Sequence, residues 1–519
     1  MSGGDPLDLL IVGGGINGAG VARDAAGRGL AVLLCERSDL ASGTSSASSK
    51  LIHGGLRYLE YFEFRLVREA LAEREVLLSI APHIIWPLRF VLPHDRSQRP
   101  AWMLRVGLFL YDHLTGRRRL AGSRGVRLAG RPEGAGLAAH LRRGFEYSDC
   151  WVDDSRLVSL NALDAAERGA TILTRTRFMD ARREGGLWSA TLRDETSGAT
   201  RTVRARALVN AAGPWIARVM QDGFGRSDYS HLSLVKGSHI VVPRVHEGDH
   251  AYILQHPDKR VVFIIPFLER FSLIGTTDVP FFGDPAEAAC TPGEQAYLCE
   301  AVNRYLATPL QPRDVVWSFA GVRPLYAEDG ADASAISREY VLELDGRPGE
   351  PPLLSLIGGK ITAYRQVAER ALDKLRPWFP AMGGSWSGGA PLPGGDLPGG
   401  DFAGWLEALR ARHPWLPAGL AQRLARAYGS RAERILAGAG SMEDLGKPFG
   451  GGLYEREVRY LVETEWARSA DDVLWRRSKL GLFLTPKEAE RLAGWMAMQG
   501  LAAHTPAPAG ARERSGTGS

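Results

Sequence analysis

The sequence predicts an α/β chain (α+β overall) of more than one domain, and three observations carry that prediction. A strand, glycine turn, helix and second strand stand at the N-terminus, β-branched runs fill the middle, and a helical pattern closes the chain. At 519 residues there is room for two or three domains and a large buried core. Hydrophobic content of 45% and charged content of 24% are those of an ordinary globular protein and exclude a disordered or fibrous one.

The first unit is "DLLIVGGGINGAGVARDAAGRGLAVLLCER", from Asp8. Leu9 to Val12 is an apolar strand, Ala19 to Arg28 a helix of small residues, and Ala31 to Cys35 a second strand. Gly13, Gly15 and Gly18 satisfy G-x-G-x-x-G between the first strand and the helix. Such glycines permit the tight turn, the approach of a pyrophosphate to the backbone, and close helix–strand packing, while the helix N-terminus offers free N–H groups to the anion. Glu36 ends the second strand, where a carboxylate accepts from ribose hydroxyls. Together these define a Rossmann-type dinucleotide-binding unit, which by itself does not separate NAD from FAD.

The later elements follow in order. "FEFRLVREALAEREVLL", Phe62 to Leu78, has apolar residues at helical spacing, and Pro82 ends it. Ser233 to Thr277 contains "SHIVVPRV", "RVVFIIPF" and "FSLIGTTD", read as strands of an antiparallel sheet folding over the first domain. "ALVNAAGPW" (Ala207 to Trp215) and "LLSLIGGKITAYR" (Leu353 to Arg365) are strand tips where backbone can approach a ligand. "AMGGSWSGGAPLPGGDLPGGD", Ala381 to Asp401, reads as a Gly/Pro linker before a helical C-terminal domain. The last residues, from "HTPAPAGARERSGTGS", lack the apolar content to fold.

A net charge of +5 permits an anionic substrate or an anionic membrane surface, but Lys and Arg are spread along the chain, so no nucleic-acid partner is expected. The four cysteines form no C-x-x-C pair and no metal-spaced cluster, which fits a reducing cytoplasm and predicts no metal site. Asp153 and Asp154 are read as helix capping and structural hydrogen bonding. The N-terminus lacks a basic region and cleavage site, so no signal peptide is expected. No apolar stretch reaches the roughly 18 residues of a spanning helix.

In chain order, "IVGGGINGAGVARDAAGRGL", "TSSASSKLIHGGLRYLE", "RGFEYSDCWVDDSRL", "LVNAAGPW", "KGSHIVVPR", "GTTD", "FAGVRPL" and "GGKITAYR" resemble the FAD-dependent, aerobic respiratory glycerol-3-phosphate dehydrogenases from about Asp8 to Leu484. The resemblance implies an FAD-binding domain of the D-amino-acid oxidase/glutathione-reductase-2 type, an antiparallel-sheet substrate domain and an α-helical C-terminal domain. In this division, FAD-binding segments at 1–80, 146–225 and 346–380 alternate with substrate segments at 81–145 and 226–345. The linker at 381–401, the helical domain at 402–500 and a disordered tail at 501–519 follow.

The resemblance implies that FAD lies on Gly13, Gly14, Gly15, Asn17, Gly18 and Glu36, with Thr44, Ser45, Ser48, Ser49 and Lys50 toward its pyrophosphate and ring. Arg177 would meet the adenine, Ala211, Gly213 and Trp215 would follow the cofactor, and Gly358, Gly359, Lys360 and Thr362 would wrap the ring end. The implied reaction takes sn-glycerol 3-phosphate to dihydroxyacetone phosphate, its C2 hydride passing to the flavin. That chemistry needs a cationic clamp for a dianion, a base near the C2 hydroxyl, and positive charge near the flavin. Arg57, Tyr58 and Arg338 are assigned to the phosphate end, Arg323 and Lys360 to the flavin and reacting carbon, and His239 to the base, with stabilisation of the alkoxide by Arg323 or Lys360 instead as the alternative.

The family passes its electrons to membrane quinone, which implies a cytoplasmic enzyme held peripherally on the inner face of the cytoplasmic membrane. "AWMLRVGLFLYDHL" with "GRRRL", and "WRRSKLGLF", are apolar and basic candidates for that surface, with a core helix and a solvated loop as the alternative. A homodimer is compatible with this reading, which leaves oligomeric state open. The rival activities are a glycerol-3-phosphate oxidase using O2 and a D-amino-acid or sarcosine-type flavin oxidase.

Overall fold

The computed structural model describes residues 5–95, 100–115, 119–227, 229, 232–255, 260–326 and 340–500, without the side chains of residues 57, 60 and 61. The N-terminal strand, Leu7–Val12, is the centre of the first sheet, and its alternation explains the layers on either side. Leu9 and Ile11 face a core built with the helices Ile16–Gly27, Asp154–Glu167 and Tyr364–Leu375, whereas Leu10 and Val12 face Phe178, Trp188, Leu192 and Met220. From Leu9 to Val12 both faces of the strand are buried, hence the uninterrupted apolar run there.

Five strands of this sheet are parallel: Leu353–Ile357, Thr200–Asn210, Leu7–Val12, Val32–Cys35 and Thr171–Leu173. Val341–Asp345 adds an antiparallel edge, and the hairpin Thr176–Glu184/Leu187–Asp194 pairs with the early part of Thr200–Asn210. The tips of Leu7–Val12, Thr200–Asn210 and Leu353–Ile357 therefore lie side by side, which is where ligands bind in parallel sheets.

A ten-stranded, mostly antiparallel sheet forms the second layer. Its part nearest the site consists of Leu232–Pro243, hereafter the histidine strand, flanked by Phe271–Gly275 and by Trp317–Tyr326, the arginine strand. Arg143–Val152 and Leu51–Ile52 belong to this sheet too, so the second sheet keeps the chain as far as Val152, past the 145/146 boundary drawn from sequence.

The C-terminal helices, from Phe402–Arg412 to Pro486–Met498, enclose a core of their own. The Gly/Pro segment before them is not a slack linker. Trp386 covers Gly27, where a Cβ would sit 2.0 Å from its ring, and donates to the Asp24 carbonyl at 3.1 Å. Leu392 and Leu397 are buried, and Leu392 N–H donates to Ile80 O at 2.8 Å. Its glycines serve close packing, as a strap between two domains.

Candidate active site

A cleft of about 840 Å3 runs between the tips of the parallel strands and the histidine and arginine strands. At one end its walls are glycine turns. Gly13 has φ +110°, and a Cβ there would meet Ala211 O at 2.6 Å. Gly14 and Gly18, expected to lie against the cofactor, do not line the cleft and serve the turn instead, because a Cβ on Gly18 would fall 1.9 Å from Gly13 O and one on Gly14 2.8 Å from Glu36 Cβ. The Glu36 carboxylate accepts from Gly14 N–H at 2.7 Å and Ser38 N–H at 2.8 Å, which fixes it at the mouth of the strand. Burial raises its pKa, and the two amides oppose that rise.

The cleft continues past Gly15, where Ser45 Oγ accepts from Ile16 N–H at 3.0 Å and keeps a proton to donate. Asn17 donates to Gly358 O at 3.0 Å and so ties the first glycine turn to the second, where Gly358 and Gly359 have φ +73° and +95°. Arg177, Ala211, Gly213 and Trp215 line the same cleft, and Trp215 Nε1 donates to Asp284 at 3.0 Å. Thr362 also lines it, its hydroxyl accepting from His53 N–H at 3.3 Å.

The serine-rich stretch was expected to point its hydroxyls and Lys50 at the cofactor, and much of it is engaged otherwise. Lys50 is 1% exposed, does not line the cleft, and donates to both Asp154 oxygens at 2.9 Å and to Ser46 O at 3.0 Å. Its backbone takes φ +57°, which turns the chain inward. Ser48 Oγ donates to Asp154 at 2.7 Å and Thr44 Oγ1 to Val322 O at 2.5 Å, although both residues line the cleft. Asp153, as expected, caps the following helix by accepting from Arg156 N–H at 3.2 Å.

The other end of the cleft is made of side chains. His239 and Phe319 are cross-strand partners, as are Val235 and Arg323, with the pair Gly237–Gly321 between them. With a period of two, His239 and Arg323 share one face and flank a floor that has no side chains. The imidazole lies over Gly275, where a Cβ would come within 2.1 Å of Cδ2, and stacks on Phe319 at 5.0 Å and 15°. Its Nε2 is 2.8 Å from Ser49 Oγ, and Nδ1 has no hydrogen-bond partner among the described residues. Burial, then Lys50 and Arg323, pulls its pKa down to about 3, so the ring is neutral and holds a lone pair at neutral pH.

Arg323 donates to Asp278 at 2.6 Å and crosses Gly237, where a Cβ would sit 2.8 Å from its Nη2. Lys360 Nζ lies 3.6 Å from the centroid of the Tyr58 ring, a cation–π contact, and both residues line the cleft. The Arg57 side chain and the whole of Arg338 lie outside the described residues. Sequence reasoning missed Asp278, Phe319, Gly237 and Gly275. The signal was present in the two-residue spacing Trp317, Phe319, Gly321, Arg323, and in the "GTTD" string that ends with the aspartate.

A glycine-turned nucleotide end joined to a cationic, histidine-bearing end defines a flavin-type oxidoreductase site, and the family model for FAD dependent oxidoreductases matches residues 8–365. The chain belongs to that family, and its cofactor is FAD. Residues 389–499 match the model for the C-terminal domain of alpha-glycerophosphate oxidase. The chain is 56% identical over 489 residues to a glycerol-3-phosphate dehydrogenase of Pseudomonas aeruginosa, 94% of each chain being covered. It is 53% identical to D-erythritol 1-phosphate dehydrogenase of Brucella abortus, over 94% of this chain and 97% of that one. The solved glycerol-3-phosphate dehydrogenase of Bacillus halodurans, complexed with FAD, superposes with a TM-score of 0.73 at 27% identity, covering 98% of this chain and 97% of that one.

The residues present fit FAD. The cleft volume lies in the upper part of the roughly 300–1,000 Å3 range of small-molecule sites. It is continuous from Glu36 and Arg177 to Gly359 and Lys360, as an extended dinucleotide requires.

Proposed function

We propose that this protein oxidises sn-glycerol 3-phosphate at C2 to dihydroxyacetone phosphate and passes the electrons to membrane quinone. The observation that carries the reading is the reaction end of the cleft, where a neutral buried His239 and Arg323 flank the bare Gly237–Gly321 floor and Lys360 lines the same cleft. The names of the relatives support the substrate class, a phosphorylated polyol.

FAD would be held by the two glycine turns, Glu36, Ser45, Arg177 and Trp215, and supplies the hydride acceptor. Arg323 and Lys360, with Tyr58, hold the substrate and its dianionic phosphate. His239 takes the proton of the C2 hydroxyl at a ring nitrogen. Burial and then nearby cations depress its pKa in the free protein, and of those cations Arg323, which lines the cleft, is answered by the phosphate of the bound substrate, so binding raises the basicity of the imidazole when the proton must move. Asp278 keeps the Arg323 guanidinium aimed across Gly237.

No helix among the described residues is long and apolar enough to cross a membrane. The helix Ala101–His113 instead presents Trp102, Met103, Val106 and Phe109 to solvent along one face, with Trp102 67% and Phe109 59% exposed. That face supports peripheral attachment to the inner surface of the cytoplasmic membrane. Of "GRRRL", residues 116–118 lie outside the described set. "WRRSKLGLF" is removed from the membrane reading, because Arg476 and Arg477 are turned onto Asp39 and Lys479 onto Ser155 in the interior.

The test is anaerobic mixing of holoenzyme with glycerol 3-phosphate, D-erythritol 1-phosphate or a D-amino acid, followed by absorbance of the flavin band. Bleaching by glycerol 3-phosphate, then fast reoxidation by a quinone but not by O2, is expected. Bleaching only by the amine or only by the tetritol phosphate overturns the substrate, and fast reoxidation by O2 alone overturns the dehydrogenase. Replacing Trp102, Val106 and Phe109 together by Ser should release the protein from anionic vesicles without altering bleaching.

A further inference from the structure

His239 makes one hydrogen bond within the described protein, to Ser49, and a ring held at a single atom turns about that bond unless its face is fixed as well. Phe319 supplies the face. Phe319 in turn packs on Trp317, two residues earlier on the arginine strand, with ring centroids 4.8 Å apart. Trp317 stacks at 4.8 Å and 28° on Trp475, which belongs to the C-terminal domain. Trp475 itself is backed by Gly481, where a Cβ would come within 2.4 Å of its indole. Four rings thus run in sequence from the C-terminal domain to the imidazole.

A second, polar connection reaches the same place. Lys479 is 3% exposed and donates to Ser155 Oγ at 2.5 Å. The amide of Ser155 donates to Asp154 at 2.8 Å, and Asp154 holds Lys50 and Ser48, the residues immediately around Ser49. Lys50 Nζ lies 5.1 Å from the centroid of Phe319, where the two connections meet.

We propose that the C-terminal domain sets the orientation of His239 through two positioning residues, Trp475 acting by way of Trp317 and Phe319, and Lys479 by way of Ser155, Asp154 and the Ser48–Lys50 turn. Neither residue touches the cleft. The domain is therefore part of the reaction machinery as a support for the imidazole, beyond its packing against the flavin domain. This rests on His239 serving at the reaction centre as proposed above, and the experiment keeps the two apart.

Holoenzyme with isotope-labelled histidine is compared as wild type, Trp475→Leu, Trp475→Phe, Lys479→Met and Lys479→Arg, with the ring resonance of His239 identified by its loss in His239→Asn. Trp495→Leu, in the same helical core but on Phe449, controls for general loss of stability. Trp475→Leu and Lys479→Met are expected to shift or broaden the His239 resonance and to slow flavin bleaching about 10- to 100-fold at unchanged KM and flavin content. Trp475→Phe and Lys479→Arg should restore both readouts to within about threefold of wild type, and Trp495→Leu should leave the resonance in place. An unchanged resonance and bleaching rate in both Trp475→Leu and Lys479→Met overturns the proposal. Should Trp475→Leu not fold, Lys479→Met decides alone, an unmoved resonance there again being fatal. A resonance that moves while His239→Asn bleaches like wild type keeps the positioning and overturns the role of His239.

Discussion

The two ends of the cleft are built by different means. At the nucleotide end, Gly13, Gly15 and Gly18 bring backbone and helix N-terminus together within one short stretch, and the second wall of the turn is another backbone, at Ala211. At the reaction end, His239, Arg323 and Lys360 come from three distant parts of the chain, and the first two are positioned by neighbours that do not line the cleft, Phe319 for His239 and Asp278 for Arg323. A backbone site tolerates no added atom, whereas a side-chain site tolerates small displacements at a cost in rate. Binding and chemistry should therefore fail separately.

Gly18→Ala should have the greatest effect. Its Cβ would overlap Gly13 O at 1.9 Å, so the variant is expected to purify colourless, which flavin absorbance per mole of protein measures. His239→Asn or Lys360→Ala should do the converse, retaining flavin while bleaching slows about 10²- to 10⁴-fold in anaerobic stopped flow. If either loses flavin in parallel with rate, the two ends are not independent. Gly275→Ala sharpens the point, because its Cβ would press on His239 Cδ2 at 2.1 Å and displace the ring without removing it. A loss of about 10- to 100-fold in bleaching rate, smaller than that of His239→Asn, is expected with flavin retained.

The smallest effect concerns pH. His239 and His83 are both depressed to about 3 by burial first of all, from an ordinary value of 6.5. The unfolded chain then binds protons that the folded chain does not, so their contribution is full above pH 6.5 and is lost as pH falls toward 3. Each costs up to about 1.4 kcal/mol per pH unit in that window. His239→Asn should accordingly flatten the fall of Tm between pH 6.5 and 4.5. An unaltered slope would mean that the imidazole is not buried as neutral.

The legibility of the chain follows the same division. The first strand, its glycines and Glu36 were readable because the geometry they need is local, and the helix predicted at Phe62–Leu78 is found at Phe64–Ile80. Lys50 could not be read correctly, since a lysine beside serines looks like an anion site until Asp154, 104 residues away, is seen to hold it. "WRRSK" misleads for the same reason: a basic run looks solvated until Asp39 is found opposite it. The strap at 381–401 reads as a linker by composition, whereas its Trp386 seats on Gly27 and its Gly394 admits the backbone of Tyr428.

By itself the sequence determined the parallel-sheet unit, the antiparallel insertion, the helical end and the kinds of residue available for a flavin and a phosphate. Periodicity and turn chemistry act within a few residues and leave their mark in any single stretch of chain. Only the tertiary structure decided which cations face the cleft, which are spent on buried carboxylates, and that the C-terminal domain reaches the imidazole. Those outcomes depend on partners hundreds of residues apart, and a charge brought out of water is defined by its partner alone.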